Sequence, residues 1–212
     1  MQREQTMEHG ATPAVATIPG TPAIRLTPAM LQTSLFVSYP DLPIINLTPG
    51  KLLITDQPSI VSTILGSCVS LCLHHERFGV GAICHGMLPH QTKIPMPHYF
   101  PYLDTAVPHM LETMRNRYGI APSELQAKLF GGASVLQTSF LGAEGFAIGQ
   151  QNIAAALAAL ARFGLVPGVQ KTGGTEGYKI FFNTATGEVF VRRIAPNLAK
   201  GFARIMKAHF AH

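Results

Sequence analysis

The sequence predicts an α+β fold, on three observations. Apolar stretches of strand length recur along the chain, only two segments carry a helical period, and the two types do not alternate in the strict order of a parallel βαβ sheet. At 212 residues and 47% hydrophobic content, the chain can bury one well-packed domain without a disulfide or metal staple.

Taken in order, residues 1–43 are rich in Ala, Thr and Pro ("GATPAVATIPGTPAIRLTPA") and have no sustained period. They read as a flexible arm with a short ordered piece near Leu35 to Tyr39. The folded domain spans 44–194. "TPGKLLIT" is a turn leading into a strand. Residues 59–89, "SIVSTILGSCVSLCLHHERFGVGAICHGMLP", give two strands at roughly 62–73 and 79–87. Asp104 is placed to cap a helix running to about Tyr118, with Val107, Met110, Leu111 and Met114 on one face and Gly119 just past its end. "QAKLFGGAS" is a short strand running into a glycine turn. Gln150 to Phe163 is an Ala-rich helix that buries Ile153, Leu157 and Leu160 and stops at Gly164. "GYKIFFNTATGEVFVRR" is a hairpin turning around Thr184 to Gly187. Residues 195–212 form a basic tail, expected to be helical.

Composition excludes several classes of function. Three cysteines without a C-x-x-C pair do not make a secreted disulfide framework, and "MQREQTMEHG" lacks the basic and apolar regions of a signal peptide. The uncharged run from Gln57 to His75 is interrupted by five Ser and Thr residues and by Gly66, so it reads as strand and not as a membrane span. The expected compartment is the cytoplasm. The net charge of +5 equals the five basic residues Arg192, Arg193, Lys200, Arg204 and Lys207, which close the chain with no acidic residue among them. These are a solvated basic end or a docking element for an acidic protein surface. Without interleaved stacking aromatics they do not indicate nucleic acid.

All three cysteines fall within 59–89. If "HERF" is a four-residue loop, the hairpin register sets Cys68 directly opposite His85, on one face, with Cβ atoms about 4.5–5.5 Å apart. That spacing suits a thiol and an imidazole sharing a proton. Cys84 and His85 are adjacent on a strand and point to opposite sides, which disfavours a common metal ion. Cys72 and Cys84 sit in apolar runs and read as core thiols. Cys68 follows Gly66-Ser67, where the chain can bend and present backbone N–H groups to an oxyanion.

"LGSCVSLCL", "HGMLP", "DTAV", "FGGASVL", "IGQQN" and "TGGTEGYKIFFNTATGEVFVRR", in this order from Thr48 to Ile194, resemble the CheD family of chemoreceptor glutamine deamidases. The resemblance implies layered mixed β-sheets, sandwich-like and flanked by helices, as in deamidating toxins of the cytotoxic necrotizing factor type. It also implies a cysteine hydrolase, needing no cofactor or metal, that converts glutamine side chains of methyl-accepting chemoreceptors to glutamate. The cysteine of the LGSC motif is the family's nucleophile, here Cys68, and the histidine opening H-x-M-L-P is its partner, here His85.

A third family residue, usually threonine, stands six positions before the nucleophile, which is Ser62 here, with Thr63 beside it in reserve. For Ser62 to orient His85 the chain must bend sharply, at Gly66, because six straight residues span about 20 Å. Gly86 replaces a larger apolar residue of the family, which implies a roomier wall beside His85. Backbone N–H groups around Gly66 and Ser67 are the expected oxyanion donors, and Gly131 and Gly132 the expected site of close substrate approach. Receptor helices are the implied partners. The same fold serves a second reading, a non-catalytic adaptor for receptors or for a CheC-type phosphatase.

Overall fold

A computed structural model describes residues 39–134 and 142–194, with side chains undescribed for 142–147. Most of the expected arm and the whole basic tail therefore lie outside the described residues. The chain runs β1 (Ile44–Asn46), β2 (Leu52–Thr55), β3 (Ile60–Leu65), β4 (Val69–His75), β5 (Val80–Cys84), α1 (Leu103–Tyr118), β6 (Gln126–Gly131), α2 (Gly142–Ala161), β7 (Val169–Thr172), β8 (Gly177–Asn183) and β9 (Val189–Ile194). The class is α+β, as the sequence predicts, and the strands form two mixed sheets. One has four strands in the order β1-β3-β8-β9, the other five in the order β2-β5-β4-β6-β7.

Two apolar layers build the domain. Val69, Leu71, Leu73, Ala82, Cys84 and Leu129 face outward from the five-stranded sheet onto Val107, Met110 and Met114 of α1 and Ala156 and Leu160 of α2. The opposite faces of its strands carry Cys68, Cys72, Ile83, Met87 and Phe130, which pack onto Val61, Leu65, Ile180 and Phe182 of the four-stranded sheet. Side chains alternate along each strand, so one apolar strand feeds both layers. At about 25 cal/mol per Å² of buried apolar surface, these layers are the main drive to fold.

The stretch read as one strand from 62 to 73 is two strands in different sheets. β3 and β4 separate at Gly66-Ser67-Cys68, where the glycine permits the bend. The hairpin also closes one residue later than expected. His75 pairs with Val80 around the turn 76–79, because Gly79 takes the left-handed conformation (φ 59°) that ends the turn. The register shifts by two residues, giving Cys72 opposite Ile83 and Leu73 opposite Ala82. An even shift leaves every side chain on its expected face. Asp104 is not a cap: Tyr102 holds the N-cap position, and the Asp104 carboxylate accepts from the Gln91 N–H at 3.1 Å. Gly119 ends α1 in the left-handed conformation, as expected. α2 begins eight residues before the expected Gln150, since it starts at Gly142.

Candidate active site

Cys68 lies in the turn that carries the chain from one sheet to the other. Three consecutive carbonyls of this turn are held: Gly66 O accepts from the Ala133 N–H at 2.8 Å, Ser67 O from Asn152 Nδ2 at 2.9 Å, and Cys68 O from the Gly132 N–H at 2.8 Å. Gly131 and Gly132 thus grip the Cys68 backbone, and the Gly132 N–H is occupied there, not offered to a substrate. Gly131 (φ 99°) comes so close that a Cβ would fall on the Cys68 carbonyl oxygen. A Cβ on Gly132 would meet Ile153 of α2.

His85 follows β5. Its N–H donates to Lys51 O and its C=O accepts from the Gly50 N–H, each at 2.9 Å. An isolated antiparallel bridge pairs Val69 with Gly86. Continued one step each way, this register sets His85 opposite Ser70 and Cys68 opposite Met87. The expected direct opposition of Cys68 and His85 is therefore corrected to a diagonal, about 7–8 Å in a regular ladder and still on one face. That face is the layer between the sheets.

The imidazole is oriented across this layer. Thr63 Oγ1, from β3, lies 2.7 Å from His85 Nδ1 and donates to Leu47 O at 2.8 Å. A carbonyl can only accept, so the single hydroxyl proton points to Leu47 and Oγ1 accepts from Nδ1–H. The tautomer is thereby fixed, with the lone pair on Nε2, which is buried and has no hydrogen-bond partner among the described residues. Ser62, expected in this role, does not fill it. Alternation along β3 turns its side chain to the outer face of the four-stranded sheet, and Ser62 Oγ has no partner among the described residues. Gly86 opens no extra room, because the Leu103 side chain occupies the space a Cβ would take.

Burial sets the resting protonation. Desolvation pushes the Cys68 thiol up to about 12, only partly countered by its own backbone N–H, and holds His85 down at about 4 against the raising effect of Leu47 O. The resting pair is a thiol and a neutral imidazole. Acidity does not single out Cys68, for burial also raises Cys84 to about 11 and Cys72 further still. Access does: Cys68 is 8% exposed, Cys72 1% and Cys84 0%. Among the described residues, no cluster of His, Cys, Asp and Glu is arranged to hold a metal ion.

The sequence did not single out Asn152 or Tyr99. Asn152 sits within the quoted "IGQQN", but a polar residue at one helical position reads as solvent-facing. Tyr99 lies outside every quoted motif. Its hydroxyl points at Met87 Sδ (3.8 Å), and burial first, then Tyr102 and Cys68, push its phenol up. Tyr99 also walls a cleft of about 260 Å³, lined in addition by Ile94, Met96, Phe100, Tyr102 and His109. Ile94 and Met96 at its rim are 89% and 64% exposed.

A family model described as CheD chemotactic sensory transduction matches residues 87–193. The chain is 39% identical over 156 residues to the probable chemoreceptor glutamine deamidase CheD 2 of Geobacter sulfurreducens, covering 74% of this chain and 93% of that protein. It is also 39% identical over 158 residues to the probable chemoreceptor glutamine deamidase CheD of Maridesulfovibrio salexigens, covering 72% and 92%. With the chemoreceptor glutamine deamidase CheD of Thermotoga maritima it shares 33% over 147 residues, covering 68% and 88%. No helix among the described residues is long and apolar enough to cross a membrane.

Proposed function

This chain belongs to the CheD family, and on that premise we propose that it deamidates glutamine side chains of chemoreceptors in chemotaxis, with Cys68 as nucleophile and His85 as base. The observation that supports these roles most is the Thr63–His85 bond, which leaves a free lone pair at Nε2 in the same layer as Cys68.

A primary amide is a weak electrophile, so the reaction needs a thiolate and a stabilised oxyanion. Nε2 takes the Cys68 proton, and Sγ attacks the side-chain carbonyl carbon of the glutamine. The C–S bond forms as the carbonyl π pair moves onto oxygen. The imidazolium returns its proton to the amide nitrogen, ammonia leaves, and a thioester remains. A water that gives its proton to Nε2 attacks the thioester, releasing glutamate and the thiol. In the closed resting site this first proton transfer is uphill, since burial disfavours both ions. Substrate polar groups, entering, supply the solvation that the ions lack.

A receptor helix has a surface to dock on. Ile94 and Met96 leave apolar area in water at the rim of the cleft, and Tyr99 forms a wall common to the cleft and the Cys68 neighbourhood. An apolar side chain one turn from the target glutamine fits there, as in other helix-in-groove recognition.

Intact-mass spectrometry of a receptor cytoplasmic fragment, incubated with this protein or its Cys68→Ala variant, tests the assignment. Deamidation adds about one dalton per glutamine and requires the thiol. Binding without mass gain on several receptors would instead support an adaptor for receptors or for a CheC-type phosphatase. A mass gain that survives Cys68→Ala would remove the thiol from the mechanism.

A further inference from the structure

We propose that Asn152 is a positioning residue that aims the Cys68 N–H at the developing oxyanion, and this rests on the reading of Cys68 as the nucleophile. Asn152 is fully buried on α2, and its Nδ2 donates to Ser67 O at 2.9 Å and to Met87 O at 3.0 Å. Both partners are carbonyls, so the orientation of the amide is fixed, and Oδ1 has no partner among the described residues. Its two donated bonds satisfy buried carbonyls, yet the unpaired buried oxygen is unfavourable, so an amide here points to a role besides packing.

The geometry supplies one. The peptide between Ser67 and Cys68 is trans, so its N–H points opposite to its C=O. Pinning Ser67 O toward α2 sends the Cys68 N–H the other way, onto the side of its own sulfur. A tetrahedral carbon bonded to Sγ places its oxyanion within reach of that donor. The neighbouring carbonyls of Gly66 and Cys68 are held by backbone N–H groups, which no substitution of a side chain removes. Ser67 O alone of the three is held by a side chain. The second bond, to Met87 O, ties the segment two residues beyond His85 to the same amide, so one side chain sets nucleophile turn and base strand against each other.

The test separates reactions that form an oxyanion from one that does not. Acylation of Cys68 by p-nitrophenyl acetate passes through a tetrahedral oxyanion, whereas alkylation by iodoacetamide is a displacement at carbon and does not. With Cys68→Ala as background, the full chain carrying Asn152→Ala should acylate about 10²-fold more slowly and alkylate within about threefold of the parent. Asn152→Ser keeps one shorter donor, should fall between them, and serves where the alanine variant does not fold. Equal falls in both rates, or no fall in acylation, would overturn the role. So would acylation of the parent no faster than that of Cys68→Ala. If the acylation contrast holds while no receptor fragment is deamidated, the role of Asn152 stands and the receptor assignment falls.

Discussion

Two buried histidines on one hairpin show what separates a candidate base from a structural residue. His74 and His85 both face the layer between the sheets, and each sends one ring nitrogen to a partner on the other side. His74 Nε2 donates to Ala185 O at 3.0 Å, so its lone pair is on Nδ1. His85 donates from Nδ1 to Thr63, so its lone pair is on Nε2. Burial holds both rings below the usual histidine range. The difference lies in what meets the lone pair. At His74 it is the backbone of Gly187, packed so closely that a Cβ there would stand 2.6 Å from Nδ1, with Lys128 Nζ bonded to Gly187 O alongside. At His85 no partner among the described residues meets Nε2, and Cys68 lies in the same layer. On the proposed roles, similar bonding makes a base only of the histidine that shares its layer with the nucleophile and has room beside its free nitrogen.

The largest expected effect breaks that comparison directly. His85→Gln should lower deamidation of a receptor fragment by about 10³-fold, while His74→Gln leaves it within a few fold, since only the first removes general base catalysis. Comparable losses in initial-rate assays would put the base elsewhere. A second, smaller effect sharpens it. Thr63→Val should lower kcat by about 10²-fold by freeing the tautomer of His85, and Thr63→Ser should restore most of the loss. Ser62→Ala, which removes a hydroxyl without a partner among the described residues, should change kcat by less than about twofold. A large Ser62→Ala defect with a silent Thr63→Val would reverse the assignment of the orienting residue.

A further effect is thermodynamic and is read in stability, not in rate. His85 is held at about 4 in the folded chain, below its ordinary value of 6.5. Between these two values the unfolded chain binds the extra proton, so stability rises with pH through this window and is lost as pH falls toward 4. The full difference is on the order of 3 kcal/mol. Denaturant titrations from pH 7 to pH 4 should show a shallower loss for His85→Gln than for the parent. Parallel curves would mean that His85 is not buried neutral.

Most of the apolar strand stretches and both helices were legible because their patterns leave marks in one dimension. β3 and β4, though, read as one strand, and only Gly66 hinted at the bend between them. β1, "IIN", and β7, "VQKT", left none, being three and four residues long without alternation. The first turns of α2 were obscured by "GAEG", whose glycines lower helix propensity. The pairing of Cys68 with His85 missed by two residues because loop length alone does not say which residue takes positive φ, and here Gly79 does. The choice between Ser62 and Thr63 was not a matter of spacing from Cys68. The chain changes sheet between β3 and Cys68, so the packing of two layers decides which β3 side chain turns inward. Asn152 was hidden for a related reason: its partners are backbone carbonyls, which no residue type announces.

The bond from Thr63 to His85 crosses from one sheet to the other, and this makes the active geometry indivisible. A peptide cut from 59–89 would contain Thr63, Cys68 and His85, the proposed nucleophile, base and orienting hydroxyl, and still lack the geometry. With no opposing layer to hold β3 over β5, either ring nitrogen would carry the proton and water would wet both. Grafting the motif onto another hairpin would transfer the letters and leave the alignment behind, because the alignment belongs to the seam.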